Sequence, residues 1–537
     1  MKKIILIIIL VLATVLRLYK LSAYPVGLNA DEAALGYNAY SLLLTGKDEH
    51  GHSWPVNLES FGDFKPAGYA YLLIPFIKVF GLTEFAVRLP SAIFGVLAVL
   101  FIYLLTKEIY LSSNPSPESG EGNARGEVPA LLSALMLAIS PWHLHFSRGA
   151  WEVNMATTLM MIGVWLFLKR RFEFCVLSFA LAMYTYQSAR LIAPILGLSL
   201  LLLYRPKKII PSFLLLLLLL FPLGLSIIRS DAASRFTGVG LLADEGPLNR
   251  VKELRGQHTA WNSIFSRVLH NRPVNYALAF AKNYLDHFTP DFLFISGDVI
   301  ERNRVPETGL LYLTDFIFLA LGAVYLLRTA HLAPSTKVVW FWLLIAPLAS
   351  ALTFQTPHAL RAQNMVIPLT ILISIGVFET LKHWKLFGIC ALGIVYLWQV
   401  SRYLHEYYVH YPQTYPAAWE YGFKELVSYI NSVQDRYPKI WVTDKYDQPY
   451  ILFLFYSKYP PQNFQGQHEL SFRDKFNFST VRDYGKFHFA SSPWDRVRDM
   501  HNMLIVAAPE DIPAVGVNIV KTINFPNGQP AFKIVSN

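Results

Sequence analysis

The sequence predicts a polytopic α-helical membrane protein with a polar α/β domain at its C-terminus. Of the 537 residues, 53% are hydrophobic and only 16% are charged, whereas soluble proteins average about 25% charged residues. Apolar runs long enough to cross a bilayer recur between residues 4 and 403. Polar and aromatic residues replace these runs after residue 404. We therefore expect a membrane domain over residues 1–404 and a second domain over residues 405–537.

Charges beside the apolar runs predict the topology. Lys2 and Lys3 precede the first run, which lacks a small-x-small cleavage site, so an uncleaved first span should leave the N-terminus in the cytoplasm. Residues 24–88 then form an outer loop. The basic clusters at 169–171 and 205–208 fall on the cytoplasmic side only if the apolar stretch 66–81 does not cross. That stretch is predicted to be an interfacial helix on the outer surface.

About eleven transmembrane helices follow from this topology. The predicted spans are residues 4–21, 89–110, 129–146, 153–168, 172–186, 191–204, 209–228, 310–327, 338–354, 365–381 and 386–403. Residues 229–308 form a second outer loop, and the C-terminal domain falls on the outer side. Strand-like runs at 440–443 and 503–507, with helical periodicity over 419–433, predict an α/β domain there.

The composition also argues against several classes of protein. The net charge of +10 would indicate acidic partners in a soluble protein, but much of the Lys and Arg lies in short loops between spans, where it sets topology. The sequence contains no nucleic-acid-binding motif, so no nucleic acid partner is expected. Cys175 and Cys390 both lie in apolar segments, which disfavours a disulfide or metal framework.

Two adjacent acids, Asp31 and Glu32, follow the first span. Asn29 and Glu32 have the spacing of a capping box, and Asp31 would lie in the first turn of a helix that ends near Gly46. A charge at a membrane boundary is also a functional signal, so Asp31 could equally be a catalytic base at the membrane face. The spacing alone leaves both interpretations open.

Polar residues collect at the outer ends of the predicted spans. They are Asp31, Glu32, Asp63, Lys65, His143, His145, Arg148, Glu152, Arg190, His358 and Arg361. A proton-coupled transporter more often carries its acids at mid-membrane. Anchoring at the interface is the alternative for each residue taken singly. Both signs of charge on one face favour an enzyme whose substrate has one end in lipid and the other in water.

The order of these motifs resembles a known superfamily. One span, an outer Asp-Glu pair, Lys65-Pro66 before an interfacial helix, and Phe85-Ala86-Val87-Arg88-Leu89-Pro90-Ser91 opening the next span are similar to the GT-C fold glycosyltransferases that depend on polyprenyl-phosphate sugars. These include the protein mannosyltransferase family (glycosyltransferase family 39) and the lipid A aminoarabinose transferases. The resemblance covers residues 1–230 and is looser over 290–405.

The resemblance implies roles for individual residues. Asp31 takes the position of the general base, while Glu32 beside it and Glu152 after the third span would orient the acceptor or the sugar. Phe64 stands where some members carry an acid before the lysine, so a divalent metal stays an open alternative and no other cofactor is implied. The cations implied to hold the donor phosphate are Lys65, Arg148, Arg190, His358 and Arg361.

The implied reaction is the inverting transfer of a sugar from a polyprenyl-phosphate donor. A phosphate monoester has a second pKa near 6, so it leaves without prior protonation. The reaction therefore needs one general base and cations, in contrast to the acid–base pair of an inverting glycosidase. A metal-independent or weakly metal-dependent reaction is expected. The acceptor could be a protein, a lipid or a surface glycan, and the outer loop around residues 294–303 is expected to cover the site.

The implied location is the cell membrane, with the active site and the C-terminal domain on the extracytoplasmic side and membrane lipid in contact with the spans. Two other functions stay open at the level of sequence. The first is a transporter or lipid flippase, which charge-poor spans and the missing internal repeat disfavour. The second is a polysaccharide polymerase or ligase of the cell envelope, which would not require the N-terminal acid and Lys-Pro order.

Overall fold

The computed structural model describes residues 2–113, 121–207, 209–229, 240–260, 263–329, 333–472, 479–492, 494–513 and 515–536. Its contacts divide the chain into two compact units. The first unit comprises Met1–Leu16, Phe94–Phe146 and Glu152–Tyr403, and the second comprises Arg17–Ile93, Ser147–Trp151 and Leu404–Asn537. The outer segment that follows the first helix therefore belongs to the same unit as the C-terminal region.

Helices form most of the described chain up to residue 414. Among the described residues they are α1 (Lys2–Leu18), α2 (Ala30–Thr45), α3 (Gly68–Phe80), α4 (Glu84–Ser113), α5 (Glu121–Ile139), α6 (Pro141–Arg148), α7 (Glu152–Leu168), α8 (Phe172–Thr185), α9 (Ala189–Tyr204), α10 (Ile210–Arg229), α11 (Gly246–Gly256), α12 (Ile264–Leu269), α13 (Arg272–Asp286), α14 (Leu313–Thr329), α15 (Pro334–Ile345), α16 (Leu348–Ala351), α17 (Val366–Leu381), α18 (Leu386–His405), α19 (Tyr411–Thr414), α20 (Phe423–Val433), α21 (Pro449–Ser457), α22 (Pro461–Gln467) and α23 (Trp494–Val497).

Each predicted span falls on helical structure, and two of the spans are broken. The third predicted span is α5 and α6, which meet at a bend of 55°, and the ninth is α15 followed by the short α16. Three helices in the described ranges are long and apolar enough to cross a membrane, or four if the bent pair counts as one span. They are Glu84–Leu111, Gln363–Leu381 and Leu386–Thr414. The count of eleven spans stays a prediction.

The first unit contains a close helix contact built on two glycines. A Cβ on Gly322 of α14 would lie 1.9 Å from the Leu372 carbonyl oxygen, and a Cβ on Gly376 of α17 would lie 1.9 Å from the Phe318 carbonyl oxygen. Small residues at such crossings let two backbones approach, and packing is what associates helices in lipid. These two glycines therefore set the distance between α14 and α17.

The strands of the described residues fall into two sheets, both in the second unit. In chain order they are β1 (Asn57–Ser60), β2 (Asp63–Pro66), β3 (Lys439–Val442), β4 (Glu469–Leu470), β5 (Val481–Tyr484), β6 (Phe487–Phe489), β7 (Met503–Ala507), β8 (Ile519–Asn524) and β9 (Pro530–Ser536). β1 and β2 form an antiparallel hairpin in the outer segment. The other strands form a sheet in the order β4-β5-β6-β3-β7-β9-β8.

The central strand β3 pairs in parallel with β6 and β7, and the other neighbours pair antiparallel. The predicted strands at 440–443 and 503–507 coincide with β3 and β7, and the predicted helix coincides with α20. The apolar residues of β3, β7 and β9 alternate into a buried core that includes Trp441, Ile505 and Val535. The α/β character of the C-terminal region is confirmed.

Contacts along α2 join the outer segment to the C-terminal region. Gly36 of α2 faces the ring of Phe455 on α21, where a Cβ would lie 2.7 Å from the ring. The Tyr37 hydroxyl donates to the Tyr459 carbonyl oxygen at 3.0 Å. The Gln465 amide donates to the Ser41 hydroxyl at 3.1 Å. One face of α2 is thus buried against the C-terminal helices.

The first prediction follows from the glycine contact between α14 and α17. Gly376→Ala should lower the melting temperature of the purified protein, because forcing a methyl group into a packed contact costs about 1–3 kcal/mol. Gly393→Ala is the matched control, since nothing lies within 4 Å of a Cβ at that helical position. An unchanged melting temperature for Gly376→Ala in a thermal-unfolding assay would contradict the close contact.

Candidate active site at the start of α2

The start of α2 is a complete capping box. Asn29 precedes the helix in an extended conformation, and its side chain accepts a hydrogen bond from the Glu32 amide at 3.0 Å. The Glu32 carboxylate in turn accepts from the Asn29 amide at 3.4 Å. At the other end Gly46 caps the helix with φ of +70°. The predicted cap and helix end are both confirmed, so the capping interpretation holds for Glu32.

Glu32 is fully buried and makes hydrogen bonds at both oxygens. Oε1 accepts from Arg88 Nε at 2.9 Å and from the Ala150 amide at 2.7 Å. Oε2 accepts from Arg88 Nη2 at 2.9 Å in addition to the Asn29 amide. An ionised carboxylate has about four acceptor sites, and here four donors occupy them. These contacts support an anchoring role for Glu32 rather than contact with a substrate.

Arg88 likewise uses all of its N–H donors in hydrogen bonds. It is fully buried, and its Nε and one Nη2 proton go to Glu32. Its other donors reach three backbone carbonyl oxygens, those of Leu21 at 3.3 Å, Pro25 at 2.9 Å and Gly27 at 2.6 Å. A guanidinium has five N–H donors, so Arg88 has none left for a ligand. It fixes the turn before α2 to the start of α4.

Asp31 lies on a different face of the same helix turn. Consecutive residues of an α-helix point about 100° apart, so the burial of Glu32 turns Asp31 outward. The Asp31 side chain is 33% exposed and forms an ion pair through Oδ1 with Nζ of Lys65, whose side chain is 12% exposed. The structure thus brings together the predicted base and one predicted phosphate-binding cation.

The hairpin positions Lys65. This residue lies on β2 opposite Leu58 of β1, and its ammonium lies 4.7 Å from the centre of the Phe61 ring at the hairpin turn. The aromatic face and the short strand pair restrict where the lysine stem can run. Lys65 is therefore held beside the first turn of α2 by the hairpin as well as by Asp31.

Arg148 is enclosed by backbone carbonyl oxygens and tyrosine rings. Its side chain is buried, Nη2 donates to the Tyr19 carbonyl oxygen at 2.7 Å, and Nε donates to the Tyr407 hydroxyl at 3.3 Å. The guanidinium also lies over the rings of Tyr407 and Tyr408 at 5.3 and 5.4 Å. These contacts support an anchoring role over phosphate binding.

The remaining predicted residues belong to the first unit. Glu152 begins α7 with a buried side chain. Arg190, in the first turn of α9, donates from Nε to the Met183 carbonyl oxygen at 3.1 Å. Arg361 donates from Nη1 to the Thr353 hydroxyl at 2.6 Å. The His358 amide donates to Nε2 of His287 at 3.3 Å.

A buried acid, Asp298, connects the loop at 294–303 to the turn that carries His358 and Arg361. Its carboxylate accepts from the amides of Ile300 and Ala359 at 2.9 and 2.6 Å and from the Asn303 side chain at 3.0 Å. Burial raises the pKa of Asp298, and these hydrogen bonds and the charge of Arg361 oppose the rise. His358 Nδ1 lies 3.5 Å from the carboxylate. Asp298 thus sets the position of this turn.

The second unit also contains a group of polar residues that were not among the predicted site residues. Asp48, Glu49, His50 and His52 follow the Gly46 cap and precede the hairpin. Two acids and two histidines within five residues were the feature of the sequence that could have indicated this group. Among the described residues, no group of three or more His, Cys, Asp or Glu side chains is arranged to hold a metal ion.

Comparisons with known proteins address the fold. A family model described as dolichyl-phosphate-mannose-protein mannosyltransferase matches residues 64–116, which include Lys65 and Arg88. No curated protein sequence matches the chain. The crystal structure of ArnT from Cupriavidus metallidurans bound to undecaprenyl phosphate aligns with a TM-score of 0.51 and 11% identity, over 99% of this chain and 97% of that chain. The chain has the GT-C fold.

Two further solved structures align with lower scores. The apo state of ArnT from Cupriavidus metallidurans gives a TM-score of 0.45 at 12% identity, over 99% of this chain and 97% of that chain. The other is the archaeal oligosaccharyltransferase AglB from Archaeoglobus fulgidus in complex with an inhibitory peptide and a dolichol-phosphate. It gives a TM-score of 0.48 at 12% identity, over 85% of this chain and 63% of that chain. The predicted fold class, a polytopic GT-C membrane protein with a C-terminal sheet, is confirmed by the ArnT alignment.

The second prediction follows from the fully hydrogen-bonded Glu32–Arg88 pair. Arg88→Met should destabilise the protein by roughly 3–5 kcal/mol, because it leaves a buried carboxylate without its partner. Asp31→Asn should change the stability by about 1 kcal/mol or less, because its ion pair is partly exposed. Thermal unfolding of the two variants beside wild type measures the difference. Equal melting temperatures for Arg88→Met and Asp31→Asn would contradict the assignment of Glu32 and Arg88 as anchors.

Proposed function

We propose that the protein is an inverting glycosyltransferase that transfers a sugar from a polyprenyl-phosphate donor to a hydroxyl acceptor on the outer face of the membrane. The observation that carries the proposal is the Asp31–Lys65 pair at the start of α2. It places a carboxylate and a cation side by side, with a third of the carboxylate side chain exposed. The GT-C fold and the family match over residues 64–116 support it.

Asp31 is the proposed general base. The acceptor oxygen attacks the anomeric carbon of the sugar, and Asp31 takes the hydroxyl proton. The bond between the anomeric carbon and the phosphate oxygen breaks, and the phosphate leaves with the electron pair. Attack opposite the leaving group inverts the anomeric configuration. Because the leaving phosphate is a weak base, no second carboxylic acid is needed.

Lys65 is the proposed cation for the leaving phosphate, since a fixed positive charge stabilises negative charge that develops in the transition state. In the free protein Lys65 pairs with Asp31, and this pairing makes Asp31 a weaker base. A bound donor phosphate would compete for the ammonium and leave Asp31 more basic. The donor would in this way activate the base only after it has bound.

The other predicted residues have separate places in this proposal. Glu32 and Arg148 are proposed to hold the outer segment in shape, given their buried hydrogen bonds. Glu152, Arg190, His358 and Arg361 stay predictions for contacts with the sugar, the acceptor or the donor phosphate. The acceptor class, a metal requirement and the extracytoplasmic position of the C-terminal domain likewise stay predictions.

The third prediction tests the base. Asp31→Asn should reduce sugar transfer by about 10²–10⁴-fold, the usual contribution of a general base. Asparagine is nearly isosteric and keeps the polar first turn, so the melting temperature and donor binding should be retained. The assay uses the full-length protein in lipid nanodiscs with a radiolabelled polyprenyl-phosphate sugar, and it follows transfer to an acceptor or slow transfer to water.

Glu59→Gln is the matched control, because Glu59 is a mostly buried acid on β1 of the same hairpin, with a side chain that is 16% exposed. It should retain transfer activity. Equal turnover by wild type and Asp31→Asn would show that Asp31 is not the general base. No transfer and no donor binding by wild type, across several sugars, would contradict the proposed function and favour a transporter.

A further inference from the structure

The helix α13 turns polar side chains toward the protein and apolar side chains outward. The Tyr284 hydroxyl donates to the Leu344 carbonyl oxygen at 2.7 Å, and the Asn283 side-chain amide donates to the Thr353 carbonyl oxygen at 3.0 Å. A helix of a soluble domain has the opposite arrangement, with its apolar face in the core. The apolar residues that share the outward face of α13 are all exposed, and they are Val274, Leu278, Ala281 and Leu285.

The short helix α12 repeats this arrangement. Its polar residue Ser266 is buried, whereas its four large apolar residues are exposed. We call the exposed apolar side chains of both helices the outer apolar surface, which consists of Ile264, Phe265, Val268, Leu269, Val274, Leu278, Ala281 and Leu285. Single exposed apolar residues are common, but a group of this size on consecutive helices is typical of an interaction site for a protein or a membrane.

The end of α13 is attached to a segment that leads into a candidate membrane span. His287 directly follows α13, and its Nδ1 lies 2.8 Å from the Asn283 carbonyl oxygen, so Nε2 is the acceptor nitrogen of the neutral ring. Nε2 accepts from the Ser350 hydroxyl at 2.8 Å and from the His358 amide at 3.3 Å. Residues 350–358 precede Gln363–Leu381, which is long and apolar enough to cross a membrane. The outer apolar surface therefore adjoins the end of a candidate span.

Positive charge accompanies the outer apolar surface. Residues 246–286 contain six Lys or Arg and two acids, which gives a net charge of +4. Both acids form ion pairs, Glu253 with Arg250 at 2.8 Å and Asp286 with Lys282 at 2.6 Å. Basic residues in short loops set membrane topology, but this predicted outer loop is too long for that effect. The excess of positive charge therefore indicates an anionic partner.

A cleft of about 660 Å³ between α11 and the start of α13 collects three of the basic residues. Lys252, Arg255 and Arg272 line it, and Arg255 Nε donates to the His270 carbonyl oxygen at 2.7 Å, which fixes this guanidinium at the wall of the cleft. Lysine and arginine are the side chains that bind phosphate through charge-assisted hydrogen bonds. The cleft thus has the charge that a phosphate head group requires.

We infer that α11, α12 and α13 form a binding surface for an anionic membrane lipid. The lipid phosphate enters the basic cleft, and the outer apolar surface inserts beside the acyl chains. Interfacial amphipathic helices bind membranes through the same combination of buried apolar area and attraction to anionic head groups. The attachment of α13 to the end of a candidate span favours lipid over a protein partner. The proposed reaction uses none of these residues, so the inference can fail without affecting the role of the Asp31–Lys65 pair.

The first test measures which medium surrounds the outer apolar surface. Spin labels are attached to Leu278→Cys or Phe265→Cys in the full-length protein, with Cys175 and Cys390 replaced by alanine, in nanodiscs that contain phosphatidylglycerol. Electron paramagnetic resonance then compares the access of oxygen, which concentrates in lipid, with that of a water-soluble nickel chelate. Both labels should be more accessible to oxygen than to the chelate. The two positions lie on different helices, so a folding defect in one variant leaves the other informative.

Two control labels calibrate this measurement. Leu218→Cys lies in the seventh predicted span, where the native side chain is 70% exposed, and provides the lipid value. Asp435→Cys replaces a side chain that is 99% exposed outside the spans and provides the water value. Access at Leu278 and Phe265 that matches Asp435 would overturn the inference. Low access of both reagents would also overturn it, because protein would then cover the surface, as a second copy or another partner chain.

The second test measures head-group selectivity by native mass spectrometry of the full-length protein with phosphatidylglycerol or zwitterionic phosphatidylcholine. The wild type should retain phosphatidylglycerol in preference to phosphatidylcholine. The double variant Lys252→Gln with Arg272→Gln should retain phosphatidylglycerol about fivefold less or lower still, because each basic residue near anionic lipid adds to the attraction. Its retention of phosphatidylcholine should equal that of wild type.

The matched control is the double variant Lys445→Gln with Lys521→Gln, which removes the same amount of charge from two lysines that form ion pairs with Glu510 and Glu425. It should retain phosphatidylglycerol as wild type does. Equal retention by wild type and the cleft variant would overturn the head-group site. Equal losses in the two double variants would overturn it as well, since net charge alone would then explain the effect.

Discussion

The buried pair of Glu32 and Arg88 is the interaction on which the outer segment depends. A buried ion pair is stable only when its geometry is good and its remaining hydrogen-bonding groups are satisfied. Here the carboxylate accepts four hydrogen bonds and the guanidinium donates five, so both conditions are met. The pair joins the turn before α2, the first turn of α2, the start of α4 and the 147–151 segment. The start of α2, where Asp31 lies, is therefore held against the start of α4 by this pair.

This constraint explains how two adjacent acids differ in role. The helix period turns Asp31 away from the face on which Glu32 is buried, so one residue caps and anchors while its neighbour faces Lys65. Capping and catalysis therefore do not compete for the same side chain. The start of a helix lowers the pKa of an acid, which would weaken Asp31 as a base. In the proposed reaction the Lys65 ammonium moves from Asp31 to the donor phosphate. This movement makes Asp31 more basic and so opposes the effect of the helix.

The sequence predicted the features that depend on local pattern. The cap at Asn29, the end of α2 at Gly46 and the strands β3 and β7 follow from short motifs and periodicity, and all are present. It could not separate Arg148 from Lys65, because both are cations near predicted span ends and only tertiary contacts show that Arg148 is enclosed by tyrosines. The exposure of the outer apolar surface on α12 and α13 likewise depends on contacts with residues farther along the chain, such as Leu344, so local sequence did not reveal it.

We propose that the Asp31–Lys65 pair is the reacting centre and that Glu32 and Arg88 hold it in place. The most direct test is a cryo-electron microscopy structure of the full-length protein in nanodiscs with bound undecaprenyl phosphate. We expect the phosphate within hydrogen-bonding distance of Lys65 Nζ, with the ammonium moved away from Asp31 and the Glu32–Arg88 pair unchanged. A phosphate bound elsewhere, with the Asp31–Lys65 pair intact, would rule out this pair as the reacting centre.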